Sequence, residues 1–228
     1  AALPTVKNRK RGIFVSGKRA KSMVAEAHRY LYEKIVSCQY LPGQAINEKE
    51  LLDETGFGRT PLREALLALQ KEGLVEIFPR KGMRIAPYTE KSVVELYQAR
   101  KLMEPNITTE YKTLYSKDKL LDFQTQFQHS DTLTDLARFN LDADFHSYLI
   151  AITGNSILIN MYQSLMVQQV RLGMYAVTRS SATRSDDLKQ HVAIIDALLR
   201  ENEEDVRDAI IVHINHSMIR SLNAIRDT

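Results

Sequence analysis

Gly58-Arg59-Thr60-Pro61-Leu62-Arg63-Glu64-Ala65-Leu66 is the stretch on which the reading of this 228-residue chain turns. Leu62, Ala65, Leu66 and, just beyond, Leu69 recur at three- and four-residue spacing, which predicts a helix with one apolar stripe facing a core. Arg59 and Arg63 fall one turn apart on another side of that helix. Thr60-Pro61 suits a helix start, because a proline in the first turn has no hydrogen bond to lose. An apolar-backed helix with two outward arginines is built to enter a DNA groove, where the guanidinium fork matches guanine O6 and N7.

The surroundings complete a module. Asn47-Glu48-Lys49-Glu50-Leu51-Leu52 predicts a short preceding helix with acceptable capping. Glu54-Thr55-Gly56-Phe57-Gly58 follows it, and its glycines permit the positive φ of a sharp turn between crossing helices. Upstream, Val24, Ala27, Leu31 and Ile35 mark a third amphipathic helix, closed by Pro42-Gly43. Downstream, residues 74–78 and 83–86 read as two strands joined by Pro79-Arg80-Lys81-Gly82. Three helices and a basic-tipped hairpin make a winged helix-turn-helix. The plainer alternative is a small helical domain whose arginines are a solvated face.

Charge divides the chain in the same way. Residues 1–88 hold 16 Lys+Arg against 9 Asp+Glu, while the remainder holds 15 against 19. A basic front and an acidic back fit a DNA-binding module joined to a domain with another task. The expected division is a basic flexible tail over 1–21, the winged helix over 22–88, and an all-helical domain over 89–228. The tail carries Lys7, Arg9, Lys10, Arg11, Lys18, Arg19 and Lys21 without an acid, as a solubilising segment or an arm touching phosphates. Cys38 is the only cysteine, so no intramolecular disulfide forms, and it is expected to pack at the end of the first helix. No apolar run approaches the ~20 residues that span a bilayer, and no secretion signal is evident, so no membrane role and a cytoplasmic location are expected.

After Pro87 the periodicity is helical throughout, with candidate helices at 90–114, 117–128, 131–153, 156–177, 184–201 and 204–226. This predicts an antiparallel bundle of about six helices. The fold class is thus mainly α with a small β-hairpin wing. Within the bundle, Asp142 and His146 share one helix face at a spacing of four. His191 and His213 lie among apolar residues on the last two helices and are expected to point inward. One inward histidine alone reads as a core residue; three converging with an aspartate suit a borderline divalent metal, zinc first, then nickel or manganese. His216 is expected on the surface, His28 and His129 without evident partners, and Asp144 solvated. The methionines, including Met161, Met166 and Met174, read as core fillers.

Two resemblances extend this reading. From about Tyr30 to Pro87 the chain resembles the DNA-binding domain of GntR-type bacterial regulators, through Leu41-Pro42-Gly43, Glu48-Lys49-Glu50-Leu51, Arg59-Thr60-Pro61-Leu62-Arg63-Glu64-Ala65-Leu66 and Glu72-Gly73-Leu74. Gly58 departs from the pattern, where the family usually has a capping serine; glycine is tolerated there but offers no acceptor. From about Val93 onward the chain resembles the FCD ligand-binding domain of the FadR-type branch. That resemblance implies convergence of Asp142, His146, His191 and His213 on a metal. It also implies a cavity-facing role for Arg100, in Tyr97-Gln98-Ala99-Arg100-Lys101-Leu102-Met103-Glu104, and a turn role for Asn155 near the effector. A surface Arg100–Glu104 pair is the alternative for that arginine.

The resulting expectation is a homodimeric, ligand-responsive transcriptional regulator, a repressor in the first instance, on a palindromic double-stranded DNA operator. Arg59 and Arg63 would read bases, Lys49 and Thr60 would hold phosphates, and Arg80, Lys81 and Gly82 would follow the backbone or the minor groove. The effector would be a small organic acid on the metal beside Arg100. The competing readings are a constitutive DNA-binding protein with a purely structural metal, and a metal-dependent hydrolase, for which no general base is evident.

Overall fold

The computed structural model describes residues 12–179 and 185–226, with side chains from Ser22 to Arg179 and from Leu188 to Arg226. Among these the elements run α1 (Gly12–Val36), β1 (Ala45–Ile46), α2 (Glu48–Thr55), α3 (Arg59–Lys71), β2 (Val75–Phe78), β3 (Gly82–Ile85), α4 (Glu90–Glu110), α5 (Lys117–Gln128), α6 (Asp135–Ala151), α7 (Ser156–Arg179), α8 (Ser185–Arg200) and α9 (Glu203–Arg226). Two compact units result. Of the described residues, those up to Ile35 and Gly43–Ala86 form the first, and Val36–Pro42 with those from Pro87 onward form the second. The basic tail lies outside the described residues over 1–11, and helix begins at Gly12, inside the stretch expected to be flexible.

In the first unit, the expected stripes are the core. Ala27, Leu31 and Ile35 of α1 are at most 1% exposed, and Leu62, Ala65, Leu66 and Leu69 of α3 at most 2%. Asn47 caps α2 by accepting from the Lys49 amide at 2.9 Å. Of the two turn glycines only Gly56 has positive φ (67°); Gly58 is extended at φ −70° and stands at the N-cap of α3 without a side-chain acceptor. The wing pairs β2 with β3 antiparallel, in the register Val75↔Ile85 and Ile77↔Met83. A third strand, β1, adds to the other edge of β3, so the sheet order is β1-β3-β2.

The second unit is an all-helical bundle. α4 packs along α9, α6 along α7, and α8 against both α9 and α5. Its core gathers Val93, Tyr97, Phe123, Phe127, Phe145, Leu149, Leu172, Ile194, Ile195, Val206, Ile210 and Ile214. The helix expected over 90–114 is α4 to Glu110 followed by a 3₁₀ turn at Lys112–Leu114, and the one expected from 131 begins at Asp135 after a 3₁₀ turn at Ser130–Thr132. Met166 is buried as expected, but Met161 is 58% exposed and is not a core filler. Cys38 is buried just past the end of α1, within the second unit, where its thiol donates to the Arg171 carbonyl at 3.5 Å. No described helix is long and apolar enough to cross a membrane.

Candidate functional site

The bundle brings Asp142, His146, His191 and His213 together from α6, α8 and α9. One ligand atom from each lies within 4.8 Å of those from the others. The closest approaches are His191 Nε2 to Asp142 Oδ1 at 2.8 Å and His146 Nε2 to His213 Nε2 at 3.1 Å, with His146 Nε2 3.9 Å from Asp142 Oδ1. Atoms bound at about 2.0–2.1 Å to one ion stand roughly 3–4 Å apart, so these separations suit a shared divalent cation. All three imidazoles are at most 3% exposed. Asp142 Oδ2 is buried without a hydrogen-bond partner.

What lies behind His146 and His213 selects the nitrogen these two imidazoles present. The Glu104 carboxylate of α4 sits 2.8 Å from His146 Nδ1, a close charge contact off the ideal hydrogen-bond line. Gln190 Oε1 of α8 lies 3.2 Å from His213 Nδ1. An acceptor at Nδ1 keeps the proton there and leaves the Nε2 lone pair facing the cluster, the arrangement of a metal-ligating histidine. Protonation is opposed as well. Burial, with His191 and His146 adding to it, holds His213 well below an ordinary imidazole, and burial lowers His146 despite the pull of Glu104. Burial alone would raise the Asp142 carboxyl, but His191, His146 and Arg100 outweigh it and keep it well below the usual carboxylate range. An ionised carboxylate beside imidazoles, two of which burial keeps from protonating, is a donor set ready for a cation.

Arg100 is not on the surface. It is 0% exposed, and so is Glu104, with which it pairs through Nε and, at 3.3 Å, through Nη2. Glu104 also accepts from the Tyr162 hydroxyl of α7 at 2.6 Å. One carboxylate therefore joins the guanidinium, a phenol and a cluster histidine. Burial works against its ionisation, but Arg100 and His146 hold it ionised, far below the usual range. Arg100 Nη1 is buried without a partner. A buried cation with an unused donor, one carboxylate removed from a metal-ligand set, is suited to an incoming anionic oxygen.

Tyr162 and Gln190 were absent from the residues singled out by sequence, and Glu104 appeared there only as the partner in a surface pair. Glu104 had a readable signal. Val93, Tyr97, Arg100, Glu104 and Thr108 follow one another at three- and four-residue steps, and all are 0% exposed, so the Arg–Glu pair lies on the buried stripe of α4. Asn155 stands in the expected turn, between α6 and α7. It is exposed, and its side chain caps α7 by accepting from the Ile157 and Leu158 amides at 3.0 and 3.3 Å. His216 and Asp144 are exposed as expected. His28 does have a partner, Glu72 Oε1 at 2.7 Å, and His129 contacts the Thr125 carbonyl at 2.8 Å.

In the first unit, Lys49, Arg59, Thr60 and Arg63 are exposed on α2 and α3. Arg80, Lys81 and Gly82 form the exposed wing tip, with Arg80 and Gly82 both at positive φ. The two α3 arginines meet a common carboxylate, Glu48, which sequence reading left unassigned. Glu48 Oε1 and Oε2 accept from Arg63 Nε at 2.9 and 3.0 Å, and Arg63 Nη2 and Arg59 Nε lie 2.9 and 3.5 Å away.

Comparison with known proteins identifies both units by family. Residues 23–85 match the bacterial regulatory proteins of the gntR family, and residues 95–216 match the FCD domain. The chain is 26% identical over 197 residues to the HTH-type transcriptional regulator YdhC of Bacillus subtilis (strain 168), covering 83% of this chain and 86% of that one. It is 27% identical over 194 residues to the Nta operon transcriptional regulator of Aminobacter aminovorans (84% and 90% covered), and 27% identical over 221 residues to the HTH-type transcriptional repressor NanR of Enterobacter sp. (strain 638) (87% and 84%). The fold is shared with the crystal structure of a GntR transcriptional regulator from Rhodococcus sp. RHA1, at a TM-score of 0.75 and 18% identity, covering 89% of this chain and 98% of that one.

Proposed function

The chain belongs to the gntR family of bacterial regulatory proteins, with an FCD domain behind its winged helix, and from that premise we propose how this DNA-binding transcriptional regulator is controlled. Asp142, His146, His191 and His213 hold a divalent metal, zinc in the first instance. A small organic acid, such as a hydroxy, sugar or keto acid, binds there with one carboxylate oxygen directed to Arg100 Nη1. The bound metal supplies Lewis-acid coordination of the acid's oxygens. Arg100 supplies charge and direction, Glu104 holds Arg100 and His146 in place, and Tyr162 fixes Glu104 from the opposite side.

The observation that carries this reading is the unpartnered Nη1 of a fully buried arginine, joined through Glu104 to a converged Asp/His₃ set. A metal serving only to staple the bundle would give no reason to keep that donor unsatisfied. The DNA-bound form is a homodimer, since a single winged helix buries too little surface for tight, specific binding and two copies match a palindromic operator. The acid acts by binding DNA-competent and DNA-incompetent forms with different affinity, and repression relieved by the acid is the direction proposed.

Elemental mass spectrometry of the purified protein, beside His191→Ala and His213→Ala, tests the metal. About one divalent ion per chain, lost in both variants, is expected, and a wild type that takes up no metal on reloading removes the proposal. Calorimetry with a panel of organic acids on the metal-loaded protein tests the effector class, which fails if no acid gives a heat that Asp142→Ala abolishes.

A further inference from the structure

We infer that Glu48 is a positioning residue for sequence recognition, a carboxylate that fixes the angle at which the α3 arginines meet a base pair. The inference rests on the DNA-reading role proposed for Arg63 and goes beyond it. Three features of the geometry carry it.

The contact is oriented. Glu48 takes Arg63 by its side edge, through Nε and Nη2, at 2.9–3.0 Å. A guanidinium has a second two-donor edge, between its two terminal nitrogens, and a carboxylate on the side edge leaves that end edge pointing away. The end edge is the fork that takes guanine O6 and N7 together. The Arg63 side chain is 61% exposed, so it is open to an incoming base.

The anchor is also better fixed than what it holds. The Glu48 side chain is 24% exposed, whereas Arg59 and Arg63 are 71% and 61% exposed. Glu48 opens α2, immediately after the Asn47 cap, where a carboxylate is favoured by the helix N-terminus. A free arginine loses much rotamer freedom when it binds a base, and an arginine already gripped by a short, seated carboxylate loses less.

Its cost is electrostatic. A carboxylate on the surface turned to DNA repels phosphate and weakens binding to every sequence. A group that lowers affinity for all DNA yet orients the reading side chains trades affinity for discrimination. That trade gives a signature no structural role reproduces: removing Glu48 raises binding to arbitrary DNA while lowering the preference for the right sequence.

The test uses the full-length protein. The wild type selects its preferred duplex from a pool with a randomised core, and affinity is then measured for that duplex and for a shuffled one of equal composition. Glu48→Ala is expected to bind the shuffled duplex about twofold or more tighter at low salt, with the selected-to-shuffled ratio falling about tenfold. Glu48→Gln, which keeps the size and an acceptor oxygen, is expected to fall between. Loss of affinity for both duplexes in parallel, or an unchanged ratio, overturns the inference. So does a change of preferred base at one position with the ratio intact, which would make Glu48 a base contact in its own right. Arg63→Ala keeps the layers apart. If it leaves the ratio unchanged, the reading role of Arg63 fails; if it collapses the ratio and Glu48→Ala does not, only the positioning role fails.

Discussion

Glu104→Gln removes one negative charge from the centre of the bundle and almost no volume. Arg100 stays behind, 0% exposed and with no solvent to take up its charge. Breaking a buried ion pair by deleting one partner costs about 3–5 kcal/mol, because the other charge is left uncompensated. At roughly 2–4 °C per kcal/mol for a chain of this size, the unfolding midpoint in chelator should fall on the order of 10 °C. Metal affinity should fall as well. His146 Nδ1 loses the carboxylate 2.8 Å away that directs its other nitrogen to the cluster, and loss of such an outer partner weakens binding about 10–100-fold. Denaturant unfolding in chelator reads the first effect, and competition for zinc against a fluorescent chelator, well below the midpoint, reads the second. The double variant Arg100→Met/Glu104→Gln removes both charges and should regain most of the lost stability without regaining the metal affinity. A single variant within about 1 kcal/mol of wild type would refute the account of Arg100–Glu104 as a buried, mutually dependent pair.

Arg100→Lys should keep the metal stoichiometry and the ion pair with Glu104 while losing the planar fork, so calorimetry on metal-loaded protein should show organic-acid affinity lowered about tenfold or more; unchanged affinity would remove Arg100 from the effector site. Gly173→Ala tests the packing of α7 on α6. A Cβ there would stand 2.5–2.8 Å from the Phe139 ring, so destabilisation of about 1–3 kcal/mol is expected, relieved when Phe139 is also changed to Leu, and a neutral single variant would show that the ring yields freely. Burial pushes the Cys38 thiol up to about 11, against a smaller opposing pull from Arg171. A raised thiol keeps its stabilising neutral form below the unfolded-chain value, and the contribution is lost as pH climbs through the folded one. Alkylation by iodoacetamide should therefore be slow at pH 8 in the native protein and quicken towards pH 11, and reaction at pH 8 at the rate of free cysteine would contradict it.

The parts of the fold that local spacing determines were readable. The stripe of Leu62, Ala65, Leu66 and Leu69, the hairpin around Pro79–Gly82 and the helical run after Pro87 all rest on contacts within a few residues. β1 was not readable, because Ala45 and Ile46 are a strand only by virtue of Arg84 and Met83 opposite them. The metal set divides in the same way. Asp142 and His146 follow from a spacing of four, whereas bringing His191 and His213 to them needs three helices packed in one register, which entered the reading through family resemblance. Arg100–Glu104 shows how periodicity is misapplied: the same i,i+4 spacing describes an exposed ion pair and a buried one, and only the continuity with Val93, Tyr97 and Thr108 separates them. Met161 was misread for the converse reason, since residue type was taken as a guide where solvent exposure decides.

The positions of the site residues bear on how control of DNA binding can work. The four candidate ligands tie α6, α8 and α9; Arg100 and Glu104 add α4, and Tyr162 adds α7. Five helices thus meet through one connected set of charged and hydrogen-bonding groups. An acid held by the metal alone would sense the spacing of three of them. One that also reaches Arg100 sets the distance between α4 and the other three, the single adjustment that the Asp/His₃ set cannot make by itself. Turning a two-state equilibrium from 99:1 to 1:99 requires about 5.5 kcal/mol of differential binding. A charge-assisted hydrogen bond contributes about 1.5–3 kcal/mol, so no single such contact suffices. The difference must come from metal coordination and the Arg100 contact made together in one state and not in the other. Under the proposed control, the unsatisfied Nη1 and the Asp/His₃ set would be two halves of one sensor, and removing either should leave a protein that binds DNA and no longer responds.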